Sequence, residues 1–243
     1  MPQRAIITGA SSGIGKALAE KLISEGYIVG ITGRRLERLE AMRDKYPEQV
    51  HIMQMDVSKV DKARSQFDQL VEQMGGLDLC IVNAGIGRLN PEFALDPELE
   101  TIEVNITGFV AILQRAADYF RSQGRGHIVG ISSIAALLGN PGSPAYNASK
   151  AFVLNYLEGV YVALRRSNIT VTDIRPGFVT SELTEKNKRM FWVAPAEKAA
   201  EQIYRAIKRK KRYAYITRRW RLIAWLIYLI PDWLRLRFSN YSS

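Results

Sequence analysis

Cysteine and histidine are nearly absent from this 243-residue chain. The single cysteine, Cys80, excludes an intramolecular disulfide and fits a reducing compartment. The two histidines, His51 and His127, stand in no metal-ligand spacing with Cys80 or with each other, so no metal site is expected. A G-x-S-x-G elbow is also missing, which leaves Ser-His-Asp hydrolysis without support. His127, at a strand start, reads as structural. The apolar run Leu222–Ile230 has 9 residues, against about 20 for a spanning helix. There is no internal repeat, low-complexity stretch or linker, so one domain is expected. Met1-Pro2-Gln3-Arg4 runs straight into an apolar strand without signal-peptide features, which points to a cytoplasmic protein.

What is present is globular: 47% hydrophobic and 24% charged residues. Disordered, collagen-like and multi-pass membrane classes are excluded. The net charge of +10 is unevenly placed. Of 34 Lys and Arg and 24 acidic residues, the stretch from Arg205 onward holds 11 basic and one acidic, leaving 23 of each sign in a neutral body.

Short apolar runs alternate with helical patterns. Strands are expected at Ala5–Ile7, Tyr27–Thr32, Val50–Met55, Leu77–Val82, His127–Ile131, Ile169–Ile174 and Tyr213–Ile216. Helices are expected at Gly13–Glu25, Leu36–Lys45, Ala63–Met74, about Leu99–Arg121, about Ala145–Arg166 and after Pro195. This order predicts an α/β fold: a Rossmann-like, doubly wound parallel sheet with helices on both faces. Its strands should be apolar throughout, as Ile6-Ile7 and Cys80-Ile81-Val82 are.

Between the first strand and first helix lies Thr8-Gly9-Ala10-Ser11-Ser12-Gly13-Ile14-Gly15. Glycines there allow a tight turn and let backbone N–H groups approach a pyrophosphate, whose charge the helix N-terminus favours. The spacing is G-x-x-x-G-x-G, not the G-x-G-x-x-G of the usual dinucleotide fingerprint.

That turn resembles the classical short-chain dehydrogenase/reductase family, and further motifs of the family follow in order. They are Asp56 after the third strand, Asn83-Ala84-Gly85, Asn105 in the long helix, Ser132-Ser133, Tyr146-Asn147-Ala148-Ser149-Lys150 and Pro176-Gly177. The resemblance spans about Arg4 to Ile216. It implies an oxidoreductase moving a hydride between nicotinamide and a ketone, aldehyde or secondary alcohol. It also implies a homodimer or homotetramer packed through the helices bearing Asn105 and Tyr146. A dinucleotide-binding regulator or scaffold on the same fold is the alternative.

After the second strand, Gly33-Arg34-Arg35 stands where an NAD-binding fold usually has an acid for the ribose 2′-OH. A guanidinium suits a 2′-phosphate, so NADP(H) is expected over NAD(H), with Arg34 as first contact and Arg35 placed to stack on adenine. The alternative is a pair of solvated helix-start arginines. By resemblance, Asp56 and Val57 hold the adenine and Asn83, Ala84 and Gly85 line the ribose and pyrophosphate channel. Asp56 could equally cap the next helix.

Tyr146 and Lys150 are four apart, one turn apart on one helix face. A lysine ammonium and an oxidised nicotinamide would both favour the phenolate, so a depressed Tyr146 pKa is expected. Tyr146 could then pass a proton to or from the substrate oxygen. Ser133, thirteen positions earlier, would hold that oxygen, with Ser132 as the alternative. By resemblance, Lys150 also binds the nicotinamide ribose and Asn105 holds a relay water. A buried asparagine bonding local backbone is the plainer reading of Asn105. The resemblance gives Pro176, Gly177, the Val179 backbone and Ser181, or alternatively Thr180, the nicotinamide carboxamide.

The substrate lid of the family corresponds to residues 182–194. Met190, Phe191 and Trp192, with Leu137 and Leu138, predict an apolar pocket, although Phe191 and Trp192 could simply pack the lid down. The catalytic domain is read as 1–217 and the basic, Trp-bearing 218–243 as its helical extension. Three readings of that tail compete: a docked helix, an anchor on an anionic membrane surface through Trp220, Trp225 and Trp233, and nucleic-acid binding. The last is weakest, since no nucleic-acid motif accompanies the charge.

Overall fold

The computed structural model describes residues 2–180 and 192–227. Seven strands form one parallel sheet. In chain order they are β1 (Arg4–Ile7), β2 (Ile28–Gly33), β3 (Val50–Gln54), β4 (Leu79–Val82), β5 (Gly126–Ile131), β6 (Ile169–Pro176) and β7 (Tyr213–Ile216). Their spatial order is β3-β2-β1-β4-β5-β6-β7. Ile7 pairs with Ile31 on one side and Ile81 on the other, which places β1 centrally.

Both sheet faces are covered, which explains the apolar strands. Helices α1 (Gly13–Ser24), α2 (Leu36–Lys45) and α7 (Ala196–Lys208) bury Leu18, Leu22, Leu39 and Ile203 against one face. Helices α3 (Val60–Gln73), α5 (Phe109–Gln123) and α6 (Pro144–Leu164) bury Phe67, Phe120 and Leu157 against the other. Each of those side chains is at most 1% exposed. Full burial of a Leu or Phe side chain is worth about 1.5–3 kcal/mol. The strand order reverses between β1 and β4, so a crevice opens outside their C-terminal ends.

The long helix expected at about Leu99–Arg121 divides. Helix α4 (Leu95–Ile102) runs into a π-helical segment, Glu103–Gly108, and then into α5. The wider turn coincides with a close approach: Gly108 lies so near Val57 that a Cβ would fall 2.7 Å from its Cγ2. The segment carries Asn105 inward, 2% exposed. Helix α8 (Trp220–Ile227) docks through Trp220 and Ala224, 2% and 3% exposed. The Trp220 indole lies on Gly177, where a Cβ would fall 2.0 Å from its Nε1. No helix among the described residues is long and apolar enough to cross a membrane.

His127 is buried, with Nε2 2.9 Å from Thr172 Oγ1; desolvation, aided by the charge of Lys210, holds its pKa down at about 4. Burial pushes the Cys80 thiol up to about 12, which leaves it unreactive. No group of three metal-ligating side chains occurs among the described residues.

Candidate active site

The glycine turn enters α1 at the C-terminal end of β1. Helix α1 has no side-chain cap and no acid in its first turn, so its leading N–H groups are free of a competing carboxylate. Ser11, Ser12, Gly13 and Ile14 are half-buried and face the crevice mouth. Gly15 is packed: a Cβ there would fall 2.3 Å from the Gly9 carbonyl oxygen and 2.6 Å from Asn83 Nδ2. Thr8 is fully buried, and its Oγ1 accepts from the N–H groups of Asn83 and Ala84 at 3.0 and 3.1 Å. Asn83 Nδ2 donates to the Thr8 and Gly9 carbonyls at 2.9 and 3.0 Å. These two side chains therefore brace the turn against β4, while Gly85 remains exposed at the crevice.

At the end of β2, Arg34 is exposed and Arg35 is half-buried. The Arg35 guanidinium donates through one terminal nitrogen to Ser11 Oγ at 2.9 Å and to Ser12 Oγ at 2.8 Å. It is thus held over the glycine turn rather than splayed into solvent. Arg34 acts electrostatically on Glu100, which pairs with Arg88 at 2.8 Å. Asp56 Oδ1 accepts from the Ser58 N–H and hydroxyl at 3.0 and 2.8 Å, a local Asx turn. The cap position of α3 is Lys59, so Asp56 is not that helix cap. Val57 is buried beside it.

Deeper in the crevice, Ser133, Tyr146 and Lys150 come together. Ser133 follows β5 and caps a short 3-10 turn, accepting from the Ala135 N–H at 3.0 Å. It hydrogen-bonds Tyr146 and donates to the Pro176 carbonyl at 3.4 Å. Pro144 opens α6 with its preset φ. Lys150 Nζ lies 5.9 Å from the Tyr146 ring centre and donates to the Ile131 carbonyl at 3.0 Å. The expected depression of the Tyr146 pKa is not what the chain alone produces. Burial raises the phenol, with the Ser133 bond opposing it, and burial draws Lys150 down to about 8. Desolvation of the charged form is the largest cause for both groups.

Asn105 is fully engaged. Its Oδ1 accepts from the Ile86 N–H at 2.8 Å, and its Nδ2 donates to the Ile86 carbonyl and to Ser149 Oγ at 2.8 and 3.0 Å. Ser149 Oγ in turn donates to the Tyr146 carbonyl. The side chain bonds local backbone and ties the β4 exit to the tyrosine turn.

Pro176 is buried, Gly177 sits under Trp220, and Val179 is 3% exposed and bridged to Ala194. Ser181, Met190 and Phe191 lie outside the described residues. Trp192 is 47% exposed, stacked edge-on to Trp220 at 6.1 Å with Arg219 over its ring at 4.9 Å. Leu137 and Leu138 are half-buried on the turn after Ser133, against which α8 packs.

This geometry agrees with what the chain resembles. The family model of the short chain dehydrogenases matches residues 3–192. The chain belongs to that family. A Myxococcus xanthus protein described as an uncharacterized oxidoreductase is 41% identical over 188 residues, 75% of this chain and 74% of that protein. An uncharacterized oxidoreductase of Mycobacterium tuberculosis is 32% identical over 98% of this chain and 97% of its own length. A short-chain dehydrogenase/reductase from Burkholderia phymatum, solved in complex with NAD, superposes with a TM-score of 0.85 at 24% identity, covering 100% of this chain and 97% of that one. This short-chain dehydrogenase is accordingly an oxidoreductase.

Three further residues of the crevice have partners that the motifs did not indicate. Asn147 Nδ2 donates to the Ala135 and Leu138 carbonyls at 2.9 and 2.6 Å, tying the Leu137–Leu138 turn to α6. Glu98 accepts from the Ala145 N–H at 2.9 Å and from Asn90 Nδ2 at 2.6 Å, steadying the N-terminus of α6. Asp173 is buried on β6, hydrogen-bonded by Ser132. Only Asp173 left a sequence signal: an acid inside a predicted strand, Ile169–Ile174.

Proposed function

We propose that this chain is an NADP(H)-dependent reductase or dehydrogenase acting on a lipophilic ketone, aldehyde or secondary alcohol. The convergence of Ser133, Tyr146 and Lys150 at the crevice floor carries the reading; a regulator or scaffold would need none of the three in register. The uncapped α1 terminus, free of acids, suits a pyrophosphate. A nicotinamide dinucleotide, when bound, would supply or accept the hydride. Tyr146 holds its proton in the chain by itself, which suits donation to a carbonyl oxygen. Ser133 orients that oxygen and stabilises the charge that develops on it. Lys150 offers an ammonium to the ribose side and to the phenol. Asn105 positions the helix turn on which Tyr146 and Lys150 stand.

Arg34 and Arg35, the latter anchored on Ser11 and Ser12, support a 2′-phosphate pocket. The test is reduction of a panel of lipophilic ketones and aldehydes with NADPH and with NADH. A charge-assisted hydrogen bond is worth about 1.5–3 kcal/mol, so Arg34→Ala should lower the NADPH preference by roughly tenfold or more. Equal weakening of both cofactors would make Arg34 structural, and no turnover with any carbonyl would end the enzymatic reading.

Leu137, Leu138 and Trp192, bordered by α8, support an apolar substrate. Exposed Ile102 on α4, with Phe152 and Val162 on α6, supports a subunit contact through these helices. Helix α8 turns Leu222, Trp225 and Leu226 outward, 70%, 65% and 52% exposed, beside exposed Arg218, Arg219 and Arg221. We read that face as resting peripherally on an anionic lipid surface from the cytoplasmic side. Co-sedimentation with phosphatidylserine–phosphatidylcholine vesicles should rise with phosphatidylserine and fall with salt. The Leu222→Ser, Trp225→Ser, Leu226→Ser triple variant should lose binding while remaining folded. No binding by the unaltered protein at low salt would end the lipid reading.

A further inference from the structure

Thr217 is 8% exposed, and its hydroxyl has no hydrogen-bond partner among the described residues. A buried hydroxyl left alone carries a desolvation penalty, so it points to a group that would meet it there. Thr217 lies between β7 and α8 and forms one wall of a cavity of about 200 Å³. The other walls are Val193, Ala194 and Pro195, which lead into α7, with Lys198 of its first turn and Arg219. None of them belongs to the crevice that holds Ser133, Tyr146 and Lys150.

The walls are held in place. Ala194 donates to the Phe178 carbonyl at 3.0 Å and accepts from the Thr180 N–H at 2.9 Å. The Thr217 carbonyl accepts from the Trp220 N–H at 3.0 Å. Arg219 Nη2 donates to the Trp192 carbonyl at 2.9 Å, and its guanidinium lies 4.9 Å from the Trp192 ring centre. A guanidinium has five N–H donors, so that bond leaves most of the fork open.

The cavity is also positive. Lys198 and Arg219 pair with no carboxylate among the described residues, and no acid lines the cavity. The nearest acid of α7, Glu197, lines a separate cleft with Gly13, Lys16 and Glu20 of α1. Pro195 stands at the cap position of α7 without a capping side chain, so the positive end of that helix opens beside the two cations. Drug-sized ligands fill about 300–1,000 Å³, so this space suits a compact anion. A carboxylate is satisfied by one guanidinium fork. An ammonium, a guanidinium and a hydroxyl from separate segments suit the additional oxygens of a phosphate.

We propose that this cavity binds a phosphate group through Lys198, Arg219 and the Thr217 hydroxyl, carried either by a phospholipid headgroup or by a soluble phosphomonoester. The inference goes beyond the lipid reading of α8. That reading rests on the outward apolar face of the helix and this one on a cavity at its base, so each can fail alone.

The test is calorimetric titration of the full-length, cofactor-free protein at fixed salt and without vesicles. The probes are inorganic phosphate, glycerol 3-phosphate and monomeric dihexanoyl phosphatidic acid. At least one should bind with a Kd of about 1 mM or tighter. Lys198→Gln and Arg219→Gln should each weaken it by roughly tenfold or more, the worth of a charge-assisted hydrogen bond, and Thr217→Val by roughly fivefold. Arg209→Gln removes the same charge at the far end of α7 and should change nothing. Binding of inorganic phosphate or glycerol 3-phosphate supports the site with a soluble source, and binding of phosphatidic acid alone supports it with a lipid source. Lys198 is exposed and unpartnered, so if Arg219→Gln does not fold, Lys198→Gln decides. Three results would overturn the inference: no binding of any probe, equal weakening by Arg209→Gln, or binding untouched by Lys198→Gln, which would put the phosphate elsewhere, as at the glycine turn. Failure of vesicle co-sedimentation would count against the lipid reading alone.

Discussion

Tyr146→Phe should lower turnover by about 10²–10⁴-fold, the range general acid–base catalysis contributes, while cofactor affinity changes little. The substitution keeps the ring that packs in the crevice and removes only the hydroxyl that bonds Ser133. Burial holds the phenol protonated, so it enters a reduction already in its donor form. Lys150 keeps its bond to the Ile131 carbonyl in the variant, so the ribose side of the site should stand. Single-turnover kinetics beside fluorescence titration of NADPH separate the two effects. Near-normal turnover would sink the assigned proton donor.

The second large effect is expected at the turn. Gly15→Ala places a methyl 2.3 Å from the Gly9 carbonyl oxygen, a backbone atom, with the Asn83 side-chain Nδ2 at 2.6 Å. Neither neighbour can yield without opening the Thr8–Asn83 brace that joins β1 to β4. Overpacking of this kind costs about 1–3 kcal/mol. If that strain falls on the cofactor-bound turn, affinity should drop by roughly ten- to a hundredfold. Calorimetric titration of NADPH and NADH should show both losses to the same degree, because the turn is assigned to the pyrophosphate common to them. Unchanged affinity together with unchanged thermal stability would mean that the turn absorbs the methyl without strain.

Much of the site was legible because its motifs are local. The glycine turn lies between a strand and a helix adjacent in sequence, and Tyr146 and Lys150 share one helix face. The α/β alternation likewise follows from short apolar runs separated by amphipathic ones. Helix limits were less legible. The expected helix across Leu99–Arg121 is interrupted by the π-helical segment Glu103–Gly108, where Gly108 meets Val57 from a distant loop. Propensity along the chain cannot see that contact.

The linear order of residues thus determined the layered parallel sheet, the turn at the mouth of its crevice and the tyrosine–lysine pair, since each depends on neighbours within a few residues or on strand–helix alternation. Only the tertiary structure decided what those groups rest on. It placed Arg35 on two serines of another loop and Trp220 of the tail on Gly177. It set Asp173 between Ser132 and Arg175. It also decided that desolvation, rather than the nearby lysine, governs the Tyr146 phenol. Burial and charge pairing are properties of groups brought together across the fold, and their sign follows from packing that no stretch of sequence contains.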